Sequence, residues 1–150
     1  MNPKRPVARR HSRRLALQVL YAADLSRASS EESDVGEAFD RVALHFDLPE
    51  GARAFAKELV NGVVTHRAEI EARLTTHASN WRIDRMAVVD RNVLRLAVYE
   101  LSHTDAPHSV VINEAIELAR DFGTDRSPAF VNGVLDAVSR ALSAERGAGE

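Results

Sequence analysis

Residues 90–101 constrain the fold more than any other stretch. They read Asp90-Arg91-Asn92-Val93-Leu94-Arg95-Leu96-Ala97-Val98-Tyr99-Glu100-Leu101. At helical spacing, Val89, Val93, Leu96 and Ala97 share one face, and Leu94, Val98 and Leu101 share the next. A helix that is apolar around most of its circumference belongs in the interior of a domain. Only Arg91, Arg95, Tyr99 and Ser102 form a polar stripe. Arg91 and Arg95 stand one turn apart with like charge. Two readings are open for this pair. Either the arginines face an anion or an acidic partner, or their stems cover core while their heads reach water.

The other periodic segments are helical too, and no alternating strand run is found. Alanine, leucine and valine dominate, and aromatics make up only 5% of the chain. The fold class expected is all-α: a single helical domain of six or seven helices in two packed halves around residues 90–101, joined near 77–85. With 150 residues there is length for one core. The domain is expected over 9–142, after a flexible basic arm over 1–8 and before a frayed tail over 143–150.

Several segments carry their own start and stop signals. The first helix begins between Pro6 and Ser12, with Leu15, Val19, Ala22 and Ala23 inward and Ala16 and Leu20 beside them. Asp34 with Glu37 signals a second start, followed by the stripe Val35, Phe39, Val42, Ala43 and Phe46. Phe55, Leu59, Val63, Ile70 and Leu74 run along one long helix, in which the period overrules the turn signal of Asn61-Gly62. Trp81, in the connector, reads as a lid over the core rather than a base-stacking platform. Ser109 is the expected cap of a helix with Ile112, Ala115, Ile116, Ala119 and Phe122 inward, and Gly123 fits its left-handed stop. Ser127-Pro128 restarts the chain as cap and first-turn proline, with Val131, Val134, Leu135, Val138 and Leu142 inward.

Net charge is −2, but it is unevenly spread. Lys4, Arg5, Arg9, Arg10, Arg13 and Arg14 put +6 on residues 1–14, which hold no acid, so the remainder carries −8. A basic arm on an acidic body points to nucleic acid or an acidic partner. Arginines in a first helical turn oppose the macrodipole. A phosphate there reverses the sign of that effect, because exposed N–H groups and guanidinium groups then bind the same anion. The plainer reading is a solvated tail.

The sequence offers no catalytic constellation. It has no cysteine, no phosphate-cradling glycine loop, no G-x-S-x-G and no H-E-x-x-H. Among His11, His45, His66, His77, His103 and His108, none pair at three- or four-residue spacing. Neither an enzyme, a cofactor nor a metal site is expected. No apolar run reaches the roughly 18 residues of a membrane span. A cytoplasmic protein without membrane contact is therefore expected.

Four colinear stretches resemble the NusB family of transcription antitermination factors. Arg9-Arg10-His11-Ser12-Arg13 with Ala16-Leu17-Gln18-Val19-Leu20-Tyr21 is similar to its basic first helix. Residues 90–101 are similar to its most recognisable helix. Ile112-Asn113-Glu114-Ala115-Ile116-Glu117-Leu118-Ala119-Arg120 and Phe130-Val131-Asn132-Gly133-Val134-Leu135 complete the pattern. The resemblance implies a non-catalytic factor that binds single-stranded boxA RNA of ribosomal RNA leader transcripts together with the ribosomal protein NusE. It implies contact with other Nus factors and RNA polymerase through that complex. On this chain it implies phosphate contacts at Arg9, Arg10 and Arg13, with Lys4 and Arg5 of the basic arm beside them. Tyr21 matches a position near RNA and partner. Asp90 and Arg95, with Arg91 beside them, match the NusE-facing surface. Phe130 and Asn132 match the RNA-facing edge.

In one place the chain departs from the family. After Phe122-Gly123-Thr124 the family has two acids and a serine, whereas this chain has Asp125-Arg126-Ser127. Arg126 either meets a phosphate or pairs with an acid. Two alternatives accompany the resemblance. One is a NusB-like RNA-binding domain related to the front domain of rRNA cytosine methyltransferases. The other is a helical protein-interaction adaptor. Monomer and homodimer are both compatible with the sequence.

Overall fold

The computed structural model describes residues 5–29, 35–78 and 82–148. Among these residues there are seven α-helices, one short 3₁₀ turn and no strand. The fold is all-α, as the helical period predicts. No described helix is long and apolar enough to cross a membrane. Trp81, Lys4 and the Asp34 start signal lie outside the described residues, as does the chain beyond 148.

The chain forms two compact units, residues 1–64 and 65–150. The sequence places this division at 77–85, and the structure moves it upstream. The continuous helix predicted from Phe55 to Leu74 is two helices, α3 (Glu50–Thr65) and α4 (Arg67–His77). His66 interrupts them with φ −102° and ψ 20°. No proline or glycine marks the break. Val63 and Ile70, expected along one helix, are each buried within their own unit.

In the first unit, α1 spans Arg5–Ser29 and packs on α2 (Val35–Ala43). Residues 5–8, expected in a loose arm, are helical, and Pro6 occupies the first turn, where its missing N–H costs nothing. Leu15, Ala16, Val19, Leu20 and Ala23 are buried as predicted, Leu17 joins them, and Ala22, expected inward, is only half-buried. The Ser12 hydroxyl is fully buried, 2.7 Å from the Ala52 carbonyl of α3 and 2.9 Å from its own helix at Ala8. It can donate to either, and so ties α1 to α3. In α2, Ala38, Phe39 and Ala43 are buried, while Val35 and Val42 are only half-buried.

The second unit is organised around α5 (Val88–His103), which packs on α4, α6 (His108–Phe122) and α7 (Ser127–Ala148). Val93, Leu94, Leu96, Ala97, Val98 and Leu101 of α5 are all buried. In α6 the buried face is Val111, Ala115, Leu118 and Ala119, turned from the predicted one, so that Ile112, Ile116 and Phe122 are half-buried. Every inward residue predicted for α7 is buried. The tail expected to fray from Ser143 stays helical to Ala148. There Glu145 accepts from Arg73 Nη2 at 3.0 Å, and Arg146 reaches the Leu101 carbonyl at 3.5 Å.

Helices α6 and α7 differ from their sequence signals in three ways. Helix α6 starts after Pro107, not at a Ser109 cap. Gly123 has φ −99°, so no left-handed stop is present. A Cβ there would instead lie 2.5 Å from Ser127 Oγ and 2.7 Å from the Ala119 carbonyl oxygen, and only glycine fits. Ser127 is the first residue of α7 rather than its cap, and a reciprocal capping pair lies in the turn before it. Thr124 Oγ1 accepts from the Arg126 N–H at 3.3 Å, and Ser127 Oγ accepts from the Thr124 N–H at 2.9 Å. This reciprocal pair satisfies two donors at the helix start.

Candidate nucleic-acid and partner interface

The first unit contributes the basic helix. Arg10 is exposed and Arg9 half-buried, with the Arg9 guanidinium carbon 4.3 Å from the centre of the Phe55 ring. That stacking holds a long side chain in place by cation–π attraction while its outer edge stays accessible. Arg13 departs from its predicted role. Only 4% of it is exposed, and its guanidinium lies 6.0 Å from the same ring. It supports Phe55 from within and is no surface for a phosphate. The helical period alone cannot distinguish these arginines, because the burial of Arg13 depends on α3 lying over it. The side chain of Arg5 lies outside the description.

Tyr21, 37% exposed, lines a cavity of about 340 Å³ with Gln18, Ala22, Arg41, Val42 and His45. Its walls combine apolar surface with a phenol, a guanidinium and an imidazole. That mix suits a group with a flat apolar face and a polar edge.

In the second unit the polar stripe of α5 faces α4. Arg95, 6% exposed, donates from Nε to Glu71 Oε1 at 2.8 Å and from Nη1 to Asn92 Oδ1 at 3.2 Å. Asn92, also buried, donates in turn to the Val88 carbonyl at 2.8 Å. Arg67 lies 3.6 Å from the same Glu71 oxygen. The acidic partner that the arginine stripe implied is thus partly internal. Arg95 is committed to Glu71 and presents no free face to a NusE-like protein, which corrects its sequence-level assignment. Arg91 and Asp90 are half-buried. Asp90 sits in the first turn of α5, where a carboxylate complements the helix dipole. Its Oδ1 is buried without a hydrogen-bond partner among the described residues.

The stripe continues to the end of α5. His103 and His66 stack with centroids 3.8 Å apart, and Tyr99 lies against both at 5.7 and 5.9 Å. Glu69 Oε2 lies 3.0 Å from His103 Nε2 and 3.5 Å from His66 Nδ1. No spacing within one helix announces this cluster, because His103 lies 34 residues from Glu69.

Arg126 is exposed at the α6–α7 turn, and Asn132 is exposed and Phe130 half-buried on the first turns of α7. The three residues therefore lie within a few residues of one helix start, as their spacing predicts.

A model of the NusB family matches residues 10–140. The transcription antitermination protein NusB of Myxococcus xanthus is 45% identical over 137 residues, covering 91% of this chain and 97% of that protein. A solved structure of T. maritima NusB superposes with a TM-score of 0.79 at 32% identity, covering 88% of this chain and 90% of that one. A chain from the crystal structure of antitermination factors NusB and NusE with double-stranded RNA superposes at 0.76 with 33% identity, covering 94% of this chain and 99% of that one. The chain belongs to the NusB family, whose members are transcription antitermination factors and not enzymes.

Proposed function

We propose that this protein is a cytoplasmic RNA-binding antitermination factor that acts with NusE on boxA RNA of ribosomal RNA leader transcripts. In this reading the complex joins other Nus factors and RNA polymerase and suppresses premature termination. The observation that carries the reading is the basic start of α1, with Arg10 exposed and Arg9 held on Phe55, in a chain that superposes on one from a NusB–NusE–RNA complex. Lys4, Arg5, Arg9 and Arg10 supply phosphate contacts, Arg13 positions Phe55, and Tyr21 offers a ring to a base or to the partner. Arg126, Phe130 and Asn132 form a second RNA-facing group. The NusE contact falls on Asp90 and Arg91, on the helix that Arg95 ties to α4 through its bond to Glu71.

The test is a titration of boxA RNA, scrambled RNA of equal length and a duplex, each with and without NusE. Preference for single-stranded boxA over the scrambled strand, strengthened by NusE, is the expected result. Equal affinity for all three would leave a helical adaptor with an incidental basic arm.

A further inference from the structure

We infer that His66, Glu69 and His103 form a binding site for a divalent transition-metal ion, Zn²⁺ in particular, that clasps α4 to α5. Each residue offers one donor atom, and the three atoms all lie within 4.8 Å of one another. Zinc–nitrogen bonds of about 2.0–2.1 Å at tetrahedral angles put neighbouring ligand atoms about 3.4 Å apart. The two edges that Glu69 makes, 3.0 and 3.5 Å, bracket that value. Only the edge between the two imidazoles has to adjust, by rotation about χ2 that fans the stacked rings until both lone pairs converge. Two imidazoles and one carboxylate suit zinc, nickel or copper rather than magnesium or calcium, which prefer all-oxygen sites. Water completes the shell on the exposed side.

A basic group stands beside the site: Arg73 Nε lies 3.9 Å from Glu69 Oε1. Arg73 is also bonded from Nη2 to Glu145 at 3.0 Å, so it keeps a partner when Glu69 turns to the metal. The three ligands come from the two ends that meet there. His66 is the N-cap of α4 and makes no capping hydrogen bond from its side chain, Glu69 lies in the first turn, and His103 is the last residue of α5. A metal at this point cross-links the two helices and stabilises the second unit by mass action, since the unfolded chain does not hold the three donors together. The site stands on geometry separate from the proposed RNA contacts of α1.

The test uses the full chain without a histidine tag. Zn²⁺ affinity and stoichiometry are measured by competition with a chromophoric chelator, and Co²⁺ serves as a spectroscopic probe of the ligand set. One Zn²⁺ per chain, a melting temperature that rises with Zn²⁺, and visible Co²⁺ bands of a histidine-containing site are expected. His66→Gln, Glu69→Gln and His103→Gln should each weaken Zn²⁺ binding by more than the roughly 10–100-fold that loss of a mere supporting group costs. His45→Gln, in the other unit, should leave it unchanged. Absence of stoichiometric binding in the wild type, or the same affinity in the three variants, would overturn the site and leave an aromatic stack with a carboxylate beside it.

Discussion

At the scale of single residues, the buried polar groups carry the sharpest expectations. Arg95 illustrates how burial changes the meaning of a charge. Its guanidinium is paired with Glu71 and braced by Asn92, so Arg95→Met removes the bonds to both, one of them to a carboxylate. Hydrogen bonds to charged groups contribute about 1.5–3 kcal/mol, and a partly exposed Glu71 lowers the loss to about 1–2 kcal/mol. Thermal melts of Arg95→Met should show that loss. Arg95→Glu should unfold the second unit more severely, since it sets two acids together. A variant Arg95→Glu that melts like the wild type would return Arg95 to the surface. Gly123 makes a second case. An added methyl would press on the Ala119 carbonyl, which cannot move without distorting α6, and on the Ser127 hydroxyl that completes the cap. Gly123→Ala is expected to cost about 1–3 kcal/mol, the usual range for overpacking, measured by chemical denaturation. Gly133, where a Cβ meets nothing within 4 Å, provides the control: Gly133→Ala should be neutral or stabilising because it lies inside α7.

At the scale of elements, α1 and α5 divide the work between recognition and scaffold. Helix α5 is buried over most of its length, and Leu96→Ala should cost about 2–5 kcal/mol in a thermal or denaturant melt. Helix α1 presents its cations where the helix dipole disfavours them, a cost that bound phosphate reverses. Four cations on a single strand, Lys4, Arg5, Arg9 and Arg10, should contribute roughly −3 to the slope of log affinity against log salt. Because residues 5–10 are helical, neutralising all four to Gln tests this better than truncation, which would also remove two helical turns. The slope should flatten and scrambled RNA should weaken as well, while the melting temperature holds. An unchanged slope would move the RNA to another surface. Arg126 belongs to the same scale, since it rides on the exposed turn before α7. Arg126→Asp should weaken RNA binding without lowering the melting temperature.

At the scale of the whole molecule, the proposed function requires that RNA and NusE reinforce each other. The coupling expected is about 1–3 kcal/mol, read as the ratio of boxA affinities with and without saturating NusE. Linkage demands that RNA tighten NusE by the same factor, so titrations in both directions check one number. Matching affinities with and without NusE would remove the coupling. A variant at Arg91, such as Arg91→Ala, should reduce NusE binding and affect RNA only when NusE is present.

The sequence by itself determined the helical class, the burial of residues 90–101, which centre the second unit and not the whole chain, and the full inward face of α7, because these depend on local period and on apolar residues that must leave water wherever the helices pack. It also determined the family resemblance and the charge asymmetry of residues 1–14. Tertiary structure alone decided which arginines face solvent. Arg9, Arg10 and Arg13 stand within two turns of one helix, yet Arg13 is buried, Arg9 is half-buried against Phe55 of α3 and Arg10 is exposed. It decided the break at His66, where no proline or glycine ends the helix. It also paired Arg95 with Glu71 across 24 residues and joined His66, Glu69 and His103 across two helices. Such pairings involve residues far apart in the chain, and period and propensity, which act over a few turns, carry no information about them.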